Sequence, residues 1–273
     1  MSMTSFNNGD LYEICLNRLR KDKKGAISPE EFESFLRLRN IDYFNQQMGG
    51  ESGTKINHDS LTPFMVFQND IAVTTANGEH YVILNHSYVG PSPDSAVAHL
   101  INVWWIGEDV TDFSTKIPVD VLSNSEWGER FSNAITGPTS AYPVACRGSV
   151  VLPVYGNSDA LWCEGGTDIT SGSIVIDYYT YPADPYFDYY VDSSGNITYL
   201  TDGQVAYTLL TGEVARDGST AGEAVTSASE DLQWDDQDAM NILDMVMTDI
   251  YVAQSDQSGV EASVLERQQN VKS

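Results

Sequence analysis

The sequence has few basic residues, no long apolar segment and none of the common active-site motifs. It contains 14 Lys and Arg against 39 Asp and Glu, which gives a formal net charge of -25 at pH 7. A surface this acidic repels phosphate groups, so nucleic-acid binding through phosphate neutralisation is disfavoured. No apolar run approaches the ~18 residues of a membrane span, and no signal-peptide pattern is present. We therefore expect a soluble protein, made in a cytoplasm, with no membrane partner.

Cysteine is scarce as well, and its pattern argues against disulfides and zinc. The chain has Cys15, Cys146 and Cys163, an odd number without a secretory signal. This usage is typical of reduced thiols. Because neither Cys146 nor Cys163 has a Cys-x-x-Cys partner, we expect both to be small core residues.

The sequence motifs of common enzyme classes are missing. No G-x-x-x-x-G-K phosphate loop, H-E-x-x-H zinc helix or G-x-S-x-G nucleophile turn occurs. His80 and His86 have an even spacing that places both on one face of a strand, but an extended strand separates them too far to share one ion. We predict no catalytic residue, no metal ligand and no cofactor.

One aromatic stretch of the sequence is compatible with an enzymatic function. Asp184 and Asp188 lie in "YYTYPADPYFDYYVD", which is typical of an aromatic hairpin that packs on its neighbours. The same residues fit a sugar-stacking platform with the two carboxylates that glycosidases use. Three hypotheses follow from the residues: a structural subunit, a carbohydrate-binding module and a glycosidase-like enzyme.

Residues 21–36, "KDKKGAISPEEFESFL", have the spacing of half a calcium-binding EF-hand. Aligning the loop on Gly25 places Arg20, Asp22 and Lys24 at the first, third and fifth ligand positions. Only Asp22 offers a carboxylate, and two cations would face the ion. We therefore expect no calcium here.

The same stretch carries a helix start. Ser28, Pro29 and Glu31 combine a hydroxyl cap, proline at the first helical position and the glutamate of a capping box. A first helix, about residues 10–22, has Leu11, Ile14, Cys15 and Leu19 at helical spacing. The N-terminus is predicted to form a helical hairpin.

The second helix of this hairpin is apolar nearly all round. Phe32, Phe35, Leu36 and Tyr43 share one side, while the other side carries three further apolar residues. Such a helix must be covered on several sides, either by its own domain or by another subunit. For the second case we predict subunit contacts at Leu38, Ile41 and Phe44, together with Ile242, Val246 and Ile250 of the C-terminal helical segment.

The amino-acid composition of the remaining chain changes twice. Residues 61–213 alternate β-branched and aromatic residues with Gly, Pro, Asn and Asp, which predicts a β-rich domain. Residues 214–230 are rich in Gly, Ser, Thr and Ala and are interpreted as a linker or arm. Asp235 then caps a helix, and about residues 258–270 are expected to form another one.

The predicted fold class is α+β, with N- and C-terminal helices forming a bundle and a central β-sandwich or barrel-like domain inserted between them. The predicted divisions are residues 1–60 for the helical hairpin, 61–213 for the β-rich domain, 214–230 for the linker or arm, and 231–273 for C-terminal helices that pack on the hairpin.

Four blocks of sequence resemble a known family. "LYEICLNRLRKDKKGAISPEEFESFLRLRNIDYFNQ" is similar to the N-terminal signature of virion structural proteins from crAss-like and related tailed phages of Bacteroidota. "WGERFSNAITGPTSAYPVACRGSVVLPVYG", "GSIVIDYYTYPADPYFDYYVD" and "DLQWDDQDAMNILDMVMTDI" follow in the order that this family has. The sequence departs from the pattern where Thr180 and Tyr181 precede Pro182, because a basic residue is expected there.

The resemblance implies a non-enzymatic ring or adaptor protein of the phage neck, located in the virion and made in the bacterial host cytoplasm. Its expected partners are further copies in a homo-oligomeric ring, a dodecamer, and other neck, portal or tail proteins. Genomic DNA would pass through the lumen without specific binding. Residues 10–39 hold seven of the 14 basic residues and have a net charge of +1, so the remainder carries -26. An acidic surface of this kind suits a channel along which DNA slides.

Overall fold

The computed structural model describes residues 6–21, 26–49, 56–76, 79–84, 97–107, 116–132, 137–139, 141–152, 156–165, 172–201 and 207–270. In these ranges the protein is a mixed α+β protein with four α-helices and several β-sheets, which confirms the predicted class. The helices are α1 (Asn8–Lys21), α2 (Pro29–Gln47), α3 (Asn124–Ser132) and α4 (Asp236–Asn270).

The strands are β1 (Met65–Ala72), β2 (Thr74–Ala76), β3 (Glu79–Ile83), β4 (Val97–Gly107), β5 (Ile117–Pro118), β6 (Asp120–Leu122), β7 (Val144–Leu152), β8 (Gly156–Glu164), β9 (Gly172–Thr180), β10 (Tyr189–Val191), β11 (Ile197–Tyr199), β12 (Tyr207–Thr208), β13 (Val214–Ala215) and β14 (Ala224–Val225). The chain divides into two compact units. Unit 1 contains Met1–Pro63 and Pro182–Ser273, and unit 2 contains Phe64–Tyr181.

Helix α2 begins where the capping signal predicts. The Ser28 hydroxyl accepts a hydrogen bond from the backbone N–H of Glu31, and the Glu31 carboxylate accepts one from the N–H of Ser28. Pro29 occupies the first turn, where its missing N–H costs nothing. The EF-hand-like loop lies largely at residues 22–25, outside the described residues.

Helix α4 differs from the prediction, because one helix of 35 residues replaces the two helices expected after residue 230. The segment contains no proline, and its single Gly259 costs a helix only about 1 kcal/mol. Residues 251–257, between the two predicted helices, contain neither proline nor glycine, so the first helix continues through them. Helix α4 contacts both α1 and α2.

Residues 182–230 also differ from the predicted division. They were expected to complete the β-rich domain and then form a linker or arm, but they belong to unit 1 and carry five short strands. The composition that predicted a linker serves tight turns instead, since Gly218 and Gly222 adopt φ values of 89° and 88°. Buried Ala215 and Val225 join Leu200 and Leu209 in a small core between these turns.

Unit 2 contains helix α3 and two β-sheets that share one core. The strand orders are β1-β9-β4-β5 and β2-β3-β8-β7-β6. Strands β5 and β6 follow each other in the chain, yet β5 pairs with β4 and β6 pairs with β7, so this segment joins the two sheets. Both sheets contribute to the apolar cluster, which includes Val82, Trp105, Leu161 and Ile176.

The state of the cysteines and the apolarity of the helices are the last two features of the fold. All three cysteines are free and buried, and the burial of Cys146 and Cys163 confirms that they are small core residues. Burial raises the pKa of the Cys15 thiol to about 11. Among the described helices, none has the combination of length and apolarity that crossing a bilayer needs.

Candidate functional sites

The predicted contact residues on α2 fall in different environments. The Leu38 side chain is 54% exposed, and Ile41 is half-buried. Phe44 is only 1% exposed, because its ring packs against the indole of Trp234 with centroids 6.5 Å apart. Only Leu38 and Ile41 therefore remain accessible for a partner in the folded chain.

The three predicted contact residues on α4 are internal. Ile242, Val246 and Ile250 are at most 2% exposed and contribute to the core of the chain itself. Helical spacing of apolar residues correctly indicates a covered face, but it does not tell which chain covers it. In the structure, other residues of the same chain cover this face.

A buried polar network joins α2 to the start of α4. The Trp234 indole N–H donates to Oδ1 of Asn40 at 2.7 Å, and the Asn40 amide donates to the carbonyl oxygen of Ala183 at 3.0 Å. One turn further along, the Tyr43 hydroxyl donates to Asp238 at 2.6 Å. Burial, assisted by this bond, raises the pKa of Tyr43 to about 12. The network fixes both helices in one register.

A second buried network surrounds a carboxylate. The Glu33 side chain is 7% exposed and accepts hydrogen bonds from Arg216 at 2.5 Å and from the backbone N–H of Phe187 at 2.9 Å. Arg216 also donates to the Phe187 carbonyl oxygen and lies over the Tyr186 ring, 4.4 Å from its centroid. A buried carboxylate is retained at low cost only with such partners. These groups connect α2 to the segment that precedes β10 and to the turn that follows β13.

The two aspartates of the glycosidase hypothesis also differ from each other. Asp184 is exposed, whereas Asp188 is buried. The Asp188 carboxylate accepts hydrogen bonds from the backbone N–H groups of Tyr189 and Ala228, both at 3.1 Å. Asp188 therefore holds two chain segments together.

Of the two histidines with the even spacing, the structure describes His80. His80 is buried, and its Nδ1 lies 2.9 Å from the Thr75 hydroxyl, while His86 is outside the described residues. Within the described ranges no group of three His, Cys, Asp or Glu residues is arranged to hold a metal ion.

Unit 2 has a cavity of about 450 Å³ that the sequence patterns did not indicate. Helix α3 contacts β7 and β6, and the Cys146 thiol on β7 donates to Oδ1 of Asn124 on α3 at 3.0 Å. The cavity lies at this junction and is lined by Trp127, Trp162, Asn124, Arg147, Glu164 and His80, among others. The two tryptophans are 35 residues apart, so no local spacing relates them.

No protein-family model matches the sequence, and a search of curated proteins finds no match.

Proposed function

We propose that the chain is a non-enzymatic virion structural protein, a ring or adaptor subunit of the neck between portal and tail of a crAss-like phage. In this proposal the terminal helices form a bundle, and a β-sandwich is inserted between them in the sequence. Copies of the chain form a ring whose lumen passes genomic DNA without binding it specifically.

The observation that carries the proposal is that separate sequence blocks of the resemblance meet in one core. Tyr12 of the N-terminal block packs against Phe187 of the aromatic block, with ring centroids 5.2 Å apart. Asn40 of the N-terminal block bonds both Ala183 and Trp234, which belong to the aromatic and C-terminal blocks. Three of the four resembling blocks thus contribute residues to unit 1, whereas the block at residues 127–156 belongs to unit 2.

The charge distribution supports a DNA channel. Residues 182–250 contain 14 acidic residues and a single basic one, Arg216. That guanidinium is held by Glu33 inside unit 1. Arg18 and Arg39 of the N-terminal helices pair with Asp244 and Asp249 of α4. A surface with this excess of carboxylates repels DNA phosphates, which allows sliding.

Within this proposal, the contact between copies lies on one part of α2. Leu38 is a large apolar side chain that remains exposed, and Ile41, three residues further along the helix, is half-buried. Residues at this spacing are neighbours on a helix surface. We place a contact with a second copy at these two residues, since burying both removes apolar surface from water.

Native mass spectrometry of the purified chain tests the proposal. A dodecamer of 30.1 kDa chains has a mass of about 361 kDa. The Leu38→Asp variant should lose the high-mass species, because a charge in an apolar interface is not compensated. Leu210→Asp is the matched control, since Leu210 is an exposed leucine of unit 1 (63%) that lies outside the helices.

Two results contradict the proposal. One is a wild-type chain that is monomeric alone and also absent from purified phage particles. The other is hydrolysis of a polysaccharide by the purified wild type that is lost in Asp184→Asn with Asp188→Asn, which favours the glycosidase hypothesis. An equal loss of assembly in Leu38→Asp and Leu210→Asp would contradict only the assigned contact.

A further inference from the structure

The cavity beneath α3 has the walls of a small-molecule site. Its volume of about 450 Å³ lies within the roughly 300–1,000 Å³ of ligand pockets. Trp127 comes from α3 and Trp162 from β8, and both indoles are half-buried. Trp162 is also held from the side by Tyr81, with ring centroids 5.1 Å apart. Two indoles from different elements therefore line one cavity.

A glycine makes room for the second indole. A Cβ at Gly148 would lie 3.0 Å from Nε1 and 3.1 Å from Cδ1 of Trp162, closer than side chains normally approach. The Trp162 ring therefore lies directly against the bare backbone of β7. This contact sets the position of the ring at the cavity wall.

The polar lining points to the class of ligand. Asn124, Arg147 and Glu164 provide an amide, a guanidinium and a carboxylate. The Asn124 oxygen accepts a hydrogen bond from the Cys146 thiol, and one Arg147 nitrogen donates to the Val97 carbonyl oxygen at 2.5 Å. An amide NH2 and a guanidinium carry further N–H donors and a carboxylate has two acceptor oxygens, so the three groups together can bond sugar hydroxyl groups in addition to these partners. The guanidinium and the carboxylate carry opposite charges, so the lining favours a neutral ligand over an ion. Indole faces complement apolar C–H surfaces.

We infer that this cavity is a binding site for a neutral saccharide, with sugar C–H faces against Trp127 and Trp162 and hydroxyl groups at the polar lining. The site belongs to unit 2 alone and does not depend on the proposed ring. It requires binding only, without any hydrolytic step.

Binding is tested with the full chain and a defined set of neutral sugars: glucose, galactose, mannose, N-acetylglucosamine, cellobiose, lactose and chitobiose. Saturation-transfer NMR and calorimetric titration to millimolar concentrations are the measurements. We expect saturable binding of at least one sugar. Trp127→Ala should weaken that binding by about tenfold or more, which corresponds to ~1.4 kcal/mol.

A matched control removes an indole elsewhere. Trp104 is half-buried in the same unit, lines a different cavity and lies near Lys116 in a cation–π contact. Trp104→Ala should leave the affinity unchanged. Circular dichroism shows whether each variant is folded. If Trp127→Ala does not fold, Glu164→Gln takes its place, since it keeps the size of the side chain and removes its charge.

The inference is overturned if the folded wild type binds none of these sugars. It is also overturned if Trp104→Ala weakens binding as much as Trp127→Ala, or if folded Trp127→Ala and Glu164→Gln both bind like the wild type. None of these results bears on assembly of the ring, and a monomeric wild type does not affect the sugar titrations.

Discussion

The indole N–H of Trp234 donates a hydrogen bond of 2.7 Å to the side-chain oxygen of Asn40, 194 residues earlier in the chain. Trp234 is fully buried, with the ring of Tyr43 5.0 Å away in an edge-to-face arrangement. This residue therefore connects the N-terminal helices to the chain that leads into α4.

A double-mutant cycle on this bond is the first prediction. Trp234→Phe leaves the Asn40 oxygen buried without its donor, which costs about 1–3 kcal/mol in addition to the lost packing. In the cycle with Asn40→Ala we expect a coupling of about 1 kcal/mol. Urea denaturation of the four proteins measures it. Strictly additive losses would show that the bond contributes nothing.

Breaking the buried ion pair between Arg216 and Glu33 should lower the free energy of unfolding more than breaking an exposed pair does. Arg216→Met leaves the Glu33 carboxylate without its main partner, and we expect a loss of about 3 kcal/mol. Adding Glu33→Gln should recover part of it. Arg130→Met is the control, because Arg130 pairs with the exposed Asp120 at 3.3 Å; such surface pairs contribute about 0–1 kcal/mol. Equal losses in chemical denaturation would contradict the assigned burial.

Replacing each of two helical glycines by alanine should change the free energy of unfolding in opposite directions. A Cβ at Gly9 in α1 would lie 2.7 Å from the ring of Tyr199, so Gly9→Ala should cost about 1–3 kcal/mol. Gly128 in α3 has nothing within 4 Å of that position. Gly128→Ala should stabilise the helix by about 0.5–1 kcal/mol. Thermal melting of both variants checks the signs, and a neutral Gly9→Ala would contradict the close contact.

Alkaline pH should reduce the contribution of Tyr43 to the stability of the folded chain. Burial and the bond to Asp238 raise its pKa in the folded chain to about 12, while the unfolded residue ionises near 10. The stabilisation is therefore complete below about pH 10 and is lost as the pH rises towards 12. Tyr43→Phe should be less stable than the wild type at neutral pH, and the difference should shrink in that window. Urea titrations at neutral and alkaline pH measure it; a constant difference would contradict the raised pKa.

Local signals in the sequence predicted local structure well. The capping residues Ser28 and Glu31 form the predicted bonds at the start of α2, because capping depends on neighbours only three residues apart. Apolar spacing correctly marked Ile242 and Val246 as covered residues. Helical spacing alone predicts Phe44 on a face for another subunit, because Trp234, which covers it in the structure, is distant in the sequence.

Features that depend on distant residues were not predictable in this way. The bond from Arg216 to Glu33 crosses 183 residues, and the cavity tryptophans come from a helix and a strand that meet only after folding. Glycine-rich composition was misleading for residues 214–230, because glycine serves both flexible linkers and tight turns. Whether the subunit contact at Leu38 and Ile41 exists stays a prediction.

The pairing of β1 with β9 has a consequence for the order of folding. Met65 lies opposite Tyr179, and the Thr180 hydroxyl donates to the Phe64 carbonyl oxygen, so the two ends of unit 2 are adjacent. Without this pairing, forming the contacts between α2 and α4 would require closing a chain loop that contains the whole of unit 2. Once β1 and β9 pair, that loop is effectively much shorter, and each halving of loop length recovers about 0.6 kcal/mol of closure entropy. The chain of unit 2 is complete before α4 is synthesised, so we expect unit 2 to fold first and unit 1 to form last, when Trp234 reaches Asn40.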